Sequence, residues 1–450
     1  MSSGVRRPSL RTGELPELLK LAGPVMLARL GIMAMGLTDT IVVGRFSATQ
    51  LGFHALGWAP NAVVLTTSVG LLSGVQVMTA RAIGEGRPDK VGAVLRRGLA
   101  YAFWIGLAAG GGLFLLGPPF LHLLGLDPAL ADGAGAIVRI FALTLPLDII
   151  GRGASSFLEG LGRPKPAMTA MWAANIVNLA MNLVLVPGAF GLTAMGAAGA
   201  AWSTGGARLT LLLLLGLVIL RLPEAKAFRL FERHARDRPA EAEQRRIGYG
   251  AGISFFAESG AFSGMNIIAG WVGGLTVAGW SIVLNFSAVV FMAPLGLSAA
   301  TSVLVARAYG ARDPAAVVRT SMLGFGVCTA VAALCALAVW PGATLIARVY
   351  STDPALIRLA ADALTLTSLF FVADALQVVA ASALRAQGDV WVPTFTHVTS
   401  YVLVMLPLGW LLADKLSLGL NGIVWAVIVA SLTSAGLLLG RFWMLVRLRL

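Results

Sequence analysis

The decisive stretch is A-R-A-I-G-E-G-R-P-D-K-V at Ala80–Val91, because it returns as A-R-A-Y-G-A-R-D-P-A-A-V at Ala306–Val317, 226 positions later. The same offset relates the D-P-A-L motif at Asp127–Leu130 to a second copy at Asp353–Leu356. Further matched pairs are Asp148 with Asp374, Ser156 with Ser382, Leu158 with Leu384, Gly162 with Gly388 and Gly196 with Gly422. Similarity at one fixed offset over this length indicates an internal duplication.

The repeated unit is strongly apolar. The 450 residues are 57% hydrophobic and only 12% charged, more apolar surface than one soluble core could bury. A membrane-spanning helix needs about 20 apolar residues, and twelve runs meet this length. They lie near 16–44, 52–80, 92–117, 130–158, 166–187, 194–220, 247–271, 278–306, 316–346, 356–384, 391–412 and 420–446. The sequence therefore predicts an all-α integral membrane protein with twelve transmembrane helices.

The duplication divides these spans into two bundles. We predict an N-terminal six-helix bundle at 1–222, a charged cytoplasmic linker at 223–246 and a C-terminal six-helix bundle at 247–450. An even number of spans gives both halves the same orientation, so a pseudo-two-fold axis along the membrane normal should relate them. Transporters with parallel repeats place their substrate cavity between or within the halves.

The net charge of +13 has an explanation other than nucleic-acid binding. Most Lys and Arg side chains lie in short loops between apolar runs, where they orient helices against the anionic inner leaflet. Placing both termini in the cytoplasm leaves only Arg45, Arg348 and Lys415 outside. We therefore predict a multi-pass protein of the cell inner membrane, a monomer with no nucleic-acid partner.

Four acids fall at mid-depth in the predicted spans: Asp39, Asp148, Glu258 and Asp374. A carboxylate at the bilayer centre costs about 2.5–3.5 kcal/mol on insertion scales, so such groups usually face a cavity and carry ions or protons. Asp148 is the exception, because Arg152 follows at i+4 and can neutralise it on one helix face. Asp39, Glu258 and Asp374 are the candidate cation-coupling residues.

Polar residues near these acids extend both candidate sites. Asp39 shares its half with Asn175, Asn178, Asn182, Ser203 and Thr204. Glu258 and Asp374 share theirs with Ser254, Ser259, Asn266, Asn285 and Gln377. A buried carboxylate can carry a proton, and two nearby carboxylates can hold a hard cation such as Na⁺, so both coupling ions stay open.

Enzyme signatures are missing from the sequence. It has no Walker loop, no H-E-x-x-H and no G-x-S-x-G, and its four His residues are scattered. We expect neither an enzyme nor a bound cofactor, with Na⁺ or H⁺ acting only as a coupling ion.

Several motifs resemble those of the multidrug and toxic compound extrusion family over essentially the whole chain. They are G-P-V-M-L with L-T-D-T-I-V-V-G at Gly23–Gly44, A-R-A-I-G-E-G, and L-E-G-L-G-R-P-K-P at Leu158–Pro166. S-F-F-A-E-S around Glu258 and D-A-L-Q-V-V-A-A-S-A-L-R-A-Q-G-D from Asp374 resemble the NorM branch. The resemblance implies that both acids bind the coupling cation and that Asp39 takes part in coupling and substrate release. Phe370 stands where some members have a tyrosine, which leaves sodium and proton coupling both open.

These features together predict an antiporter that exports amphipathic, often cationic compounds as sodium ions or protons enter. One alternative is a lipid-linked precursor flippase of the same superfamily, which predicts a strongly cationic cavity. A second is an intramembrane enzyme, which requires paired catalytic groups near one membrane face. Few arginines lie within the predicted spans, and no such catalytic pair is evident.

Overall fold

The computed structural model describes residues 13–125, 127–232 and 237–449, and within these ranges it is helical with no β-strand. The helices of the first half are α1 (Glu14–Phe46), α2 (Ala48–Gly84), α3 (Val91–Leu123), α4 (Pro128–Gly160), α5 (Pro164–Leu185) and α6 (Gly196–Leu220). Those of the second half are α7 (Arg238–Val272), α8 (Gly274–Gly310), α9 (Pro314–Tyr350), α10 (Pro354–Thr367), α11 (Phe371–Ala386), α12 (Trp391–His397), α13 (Leu406–Trp410) and α14 (Gly419–Arg449). Two π-helical segments, Val398–Met405 and Leu411–Lys415, flank α13.

The repeated motifs occupy equivalent structural positions. Asp127 caps α4 by accepting hydrogen bonds from the backbone N–H of Ala129 and Leu130 at 3.0 and 3.2 Å. Asp353 caps α10 in the same way, accepting from Ala355 at 2.9 Å. Proline follows each cap at the first helical position, where a missing N–H costs nothing. The two copies of the repeated motif therefore begin corresponding helices in the two halves, α4 and α10.

Most long helices are apolar enough to cross a membrane. Among the described residues ten qualify, and the bent pair α10–α11 forms an eleventh span. The remaining long helix, α7, is not among them; its 35 residues include Arg245, Arg246 and Glu258. With α7 as the twelfth segment, the order of spans is the one that the sequence predicts.

Two predicted spans differ from continuous α-helices. The span expected at 356–384 is broken between Thr367 and Phe371, and its two parts are bent by 48°. Thr367 and Ser368 donate their hydroxyls to the carbonyls of Ala363 and Thr365 at 2.6 and 2.7 Å, and such bonds compete with the helical ladder and bend it. The span expected at 391–412 contains both π segments, a geometry often found at functional sites.

Contacts divide the chain into two compact units. The first unit is Leu27–Gly248, and the second joins Tyr249–Leu450 to the described residues before Leu27. The N-terminal turns of α7 thus pack with the first unit. Gly74 allows α2 and the start of α7 to pack closely, because a Cβ at this position would clash with the carbonyl oxygen of Gln244.

The region expected to be a linker is therefore partly helical. Turns cover 221–232, and α7 starts at Arg238. In the turns, a hydrogen bond from Arg163 lowers the pKa of Glu224 below its ordinary value. Residues 233–236 lie outside the described ranges, and the bundle boundaries at 222 and 247 stay a prediction.

Candidate functional site

The first candidate site surrounds Asp39 in the first unit. Its carboxylate is 2% exposed and accepts hydrogen bonds from Asn178 at 3.0 Å, Asn182 at 2.7 Å and the Thr204 hydroxyl at 2.5 Å. Asn178 and Asn182 are one turn apart on α5 and therefore share a face. This geometry joins α1, α5 and α6 through one carboxylate.

The Asp39 cluster has unused acceptors. Within the described ranges, the side-chain oxygens of Asn178 and Asn182 are buried and have no hydrogen-bond partner. Together with the Asp39 carboxylate and the Thr204 hydroxyl, they form an oxygen-rich set of the kind that hard cations prefer. Arg208 and His54 lie near enough to Asp39 for an electrostatic interaction.

The other buried acids of the first unit are paired with arginines. Asp148 accepts from Arg152 at 2.7 Å, which confirms the i+4 pair expected from the sequence. Glu159 lies 3.9 Å from Arg29. Three carboxylates, counting Asp39, thus face Arg29, Arg152 and Arg208, and buried Arg81 pairs with Glu243.

The second candidate site surrounds Glu258 on α7 and Asp374 in the first turn of α11. Both carboxyl groups are buried. Asp374 accepts from the Gln377 amide at 3.3 Å and from the Tyr401 hydroxyl at 3.5 Å. Glu258 interacts electrostatically with Asp374 and reaches the same two partners. The fold therefore brings together two acids that are far apart in sequence.

One arginine accompanies this acid pair. Arg385 is buried on α11, donates to the Ser254 hydroxyl at 2.6 Å and interacts electrostatically with Glu258. With both acids ionised, two negative charges face one positive charge. A buried negative charge without a partner is strongly destabilising, so the cluster requires one more monovalent cation, and either a proton or Na⁺ satisfies it.

The sequence model of the MatE family matches residues 24–184 and 251–411, once in each half. The chain belongs to the MatE family. The two matched ranges agree with the duplication, and they contain Asp39, Glu258 and Asp374.

Relatives of this MatE protein cover almost its full length. It is 54% identical to a probable multidrug resistance protein NorM of Caulobacter vibrioides over 96% of this chain and 92% of the relative. It is 33% identical to the multidrug resistance protein PmpM of Pseudomonas aeruginosa over 95% and 90%. The solved eukaryotic MATE transporter AtDTX14 has the same fold, with a TM-score of 0.88, 19% identity and 96% coverage of both chains. The NorM-like MATE resemblance and the twelve-helix, two-bundle fold are confirmed.

The fold of this MatE protein brings only some of the expected polar residues into contact with the acids. Asn175 is half-buried and donates to the carbonyl of Met171 on its own helix at 2.9 Å. Asn266 and Asn285 are exposed and also bond to their own helices, as Ser203 does while buried. Asn178, Asn182, Thr204 and Gln377 reach an acid, and Ser254 reaches one through Arg385. What these residues do in transport stays a prediction.

Sequence reasoning missed two members of the second site and one neighbour of it. Arg385 falls just past the predicted span, although eleven residues make three helical turns and place it on the Asp374 face. Tyr401 belongs to a π segment whose register no α-helical period predicts. Its hydroxyl donates to Asp374 at 3.5 Å, while the ring of Phe370 packs edge-on against Phe371 at 5.3 Å. His397, four residues before Tyr401, lies next to the site, with its ring edge-on to the Tyr401 ring at 5.9 Å.

The donor set of each site suits Na⁺ or a proton better than a transition metal. In the described part of the chain no three His, Cys, Asp or Glu side chains converge. Each site instead combines carboxylate, amide and hydroxyl oxygens, which are ligands for hard cations. Glu258 and Asp374 would be the charged ligands of a sodium ion at the second site.

Proposed function

We propose that this multi-pass MatE protein is a cation-coupled antiporter, which exports amphipathic and often cationic compounds by alternating access. The observation that carries the proposal is the charge of the Glu258–Asp374–Arg385 cluster. Its excess of one buried negative charge must be neutralised by a monovalent cation, so the site has an ion to bind and release. Asp39, with its unused oxygen acceptors, is a second place where that cation can act.

Ion binding at such a site gives the coupling its direction. A carboxylate that faces the outside takes up a cation, and the same carboxylate facing the cytoplasm releases it. One charge moving through 100 mV releases about 2.3 kcal/mol, enough for roughly a fifty-fold gradient of a neutral substrate. One cation per cycle is therefore sufficient to drive export of a neutral compound, whereas one-for-one exchange with a monovalent cationic compound gains nothing from the voltage and draws on the ion gradient alone.

Names of the relatives support the substrate class. NorM and PmpM are described as multidrug resistance proteins, and we propose the same broad class for this chain. The flippase alternative predicts an excess of cationic side chains in the binding region. Among the described residues of the first unit, Arg29, Arg152 and Arg208 each interact with a carboxylate, and buried Arg81 pairs with Glu243. This matching of charges favours drug export.

The remaining expectations belong to the same proposal. We place the protein in the cell inner membrane with both termini in the cytoplasm, because the basic loops then face the anionic leaflet. We propose that it acts as a monomer, catalyses no covalent chemistry and uses Na⁺ or H⁺ only as the coupling ion.

Efflux from proteoliposomes tests the proposal. The purified chain is reconstituted, and efflux of a fluorescent cationic dye is followed under an imposed sodium gradient or an imposed pH gradient, each applied alone. We expect one gradient to drive efflux in the wild type and E258Q/D374N to lose it.

The matched control is D362N, because Asp362 lies exposed on α10 and the variant makes the same chemical change outside the cluster. We expect D362N to export at the wild-type rate. Efflux that neither gradient accelerates, or that survives in E258Q/D374N, rejects cation coupling at this site.

A further inference from the structure

The second unit carries a column of buried polar groups that ion binding at the acid pair does not explain. We define two layers. The acid layer is Glu258, Asp374, Gln377, Tyr401 and Ser431. The histidine layer is Ser254, Arg385, His397 and Ser434. All nine residues are buried.

Helix geometry stacks the histidine layer directly next to the acid layer. Ser254 precedes Glu258 by four residues on α7, a rise of about 6 Å along that helix. His397 likewise precedes Tyr401 by four residues, where α12 passes into the π segment Val398–Met405. Two contacts fix the arrangement in space. Arg385 Nη2 lies 2.6 Å from Ser254 Oγ, and the His397 and Tyr401 rings meet edge-on at 5.9 Å.

Each helix places its histidine-layer residue nearer to the loop that joins α11 to α12. Arg385 is in the last turn of α11, and His397 is in the short helix that follows this loop. The loop itself is bordered by an ion pair between Asp389 and Arg441 at 2.7 Å, and both side chains are partly exposed. The column therefore runs from the acids towards a polar surface.

The histidine layer has more polar atoms than protein partners. Within the described ranges both ring nitrogens of His397, the Nε of Arg385 and the Oγ of Ser434 are buried without a hydrogen-bond partner. A neutral imidazole needs one acceptor and one donor, and buried polar groups nearly always find partners in protein or in ordered water. The layer therefore provides anchoring points for several water molecules.

We propose that the histidine layer holds a hydrogen-bonded water passage, through which protons pass between the Glu258–Asp374 pair and the α11–α12 loop. This proposal rests on the proposed cation coupling, and it specifies the proton as the coupling ion and the histidine layer as its route. Imidazole, hydroxyl and water can each donate and accept, so together they form a continuous chain for proton transfer.

Sodium fits this layer poorly. A hard cation exchanges its hydration shell for several oxygen ligands, whereas the side chains of the layer offer only the two hydroxyls of Ser254 and Ser434. Protons travel along hydrogen bonds without such a shell. The geometry thus assigns the route to protons, although the acid layer alone would accept either ion.

Proton flux in proteoliposomes tests the passage. The full chain is reconstituted with a pH-sensitive dye inside, and substrate-driven proton movement is compared among wild type, H397Q, H397F and H122Q. We expect H397F to lower the proton flux at least ten-fold and H397Q to retain about a third of it, because the amide still anchors water. His122 is half-exposed on α3 and pairs with Asp132, so H122Q is the matched control and should keep the wild-type rate.

Substrate binding to the same purified proteins separates a passage from a structural role. We expect H397F to bind substrate within two-fold of wild type, because His397 lies outside the acid layer. Proton flux at the wild-type rate in H397F, or coupling to sodium alone in the wild type, overturns the passage. If neither sodium nor protons are coupled to substrate transport in the wild type, the proposed function is rejected, and the passage is rejected with it.

Hydroxyl-radical labelling of the wild-type chain tests hydration without any substitution. Radicals formed from internal water modify the side chains beside it. Tyr401 and Phe442 are both fully buried, but Phe442 packs against Phe325 at 5.2 Å in an apolar contact. We expect His397 and Tyr401, corrected for intrinsic reactivity, to react at least five-fold faster than Phe442. Equal rates overturn the water passage, whatever the behaviour of H397F.

Discussion

Asp148 and Asp374 occupy equivalent positions of the repeat but have different surroundings. We therefore expect D148N to lose stability and D374N to lose transport. Asp148 lies 2.7 Å from Arg152 and near Arg208. Removing one partner of a buried ion pair leaves a buried charge alone and costs about 3–5 kcal/mol. Asp374 accepts only long bonds of 3.3 and 3.5 Å and belongs to a cluster with surplus negative charge. D374N removes that surplus, so its cost should stay within about 1 kcal/mol.

Thermal unfolding at one fixed heating rate, combined with dye efflux, measures both effects. We expect D148N to lower the unfolding temperature strongly. D374N should unfold near the wild-type temperature but lose gradient-driven efflux. The exposed D362N again serves as the control for the chemical change. If D374N is as unstable as D148N, then Asp374 holds the fold together and the charge argument for ion coupling fails.

Three further substitutions test neighbouring features. R385Q removes the cation that interacts with the acid pair, so the folded protein should bind one extra proton, and its stability should fall by about 1.4 kcal/mol more per pH unit as pH rises. T204V deletes a hydroxyl donor to buried Asp39 and should destabilise the first unit by about 1.5–3 kcal/mol. G74A places a methyl group against the backbone oxygen of Gln244 and should cost about 1–3 kcal/mol or more. Each is read out by unfolding, R385Q across a pH series.

Matched variants isolate each cause. T210V removes a hydroxyl that bonds only to the carbonyl of Gly206, so it should be milder than T204V. G112A fills open space next to no other group and should be neutral. If the stability of R385Q changes with pH as steeply as that of the wild type, Arg385 is not the counter-charge of the acid pair. The double variant E258Q/R385Q should restore the wild-type dependence of stability on pH. If T210V loses as much stability as T204V, the bond to Asp39 does not explain the loss. If G112A loses as much as G74A, the contact with Gln244 does not.

The sequence was sufficient for the architecture because membrane burial leaves few options. Long apolar runs must be helices, and the repeated D-P-A-L caps at Asp127 and Asp353 mark equivalent helix starts. The break after Thr367 was not predictable, because the segment contains no proline and the hydroxyl-to-carbonyl bonds that accompany the bend leave no mark in the sequence. The π segment carrying Tyr401 was missed for a related reason, since its side-chain register differs from that of an α-helix.

The candidate sites were predictable only in their acids. A carboxylate in an apolar run stands out in any sequence, and Asp39, Glu258 and Asp374 were identified in this way. Their partners depend on tertiary packing: Asn178 reaches Asp39 while Asn175, one turn away, bonds to its own helix. Arg385 became visible as a site member, and His397 as a neighbour of the site, only in the folded structure.

Counting the ions displaced by substrate tests the central claim most directly. Protons released into weakly buffered detergent solution, or labelled Na⁺ lost from the purified chain, are measured as a saturating substrate is added. The charge of the Glu258–Asp374–Arg385 cluster predicts one monovalent cation released per chain in the wild type and none in E258Q/D374N. Equal release from both proteins would contradict the account, because the cation would then bind elsewhere.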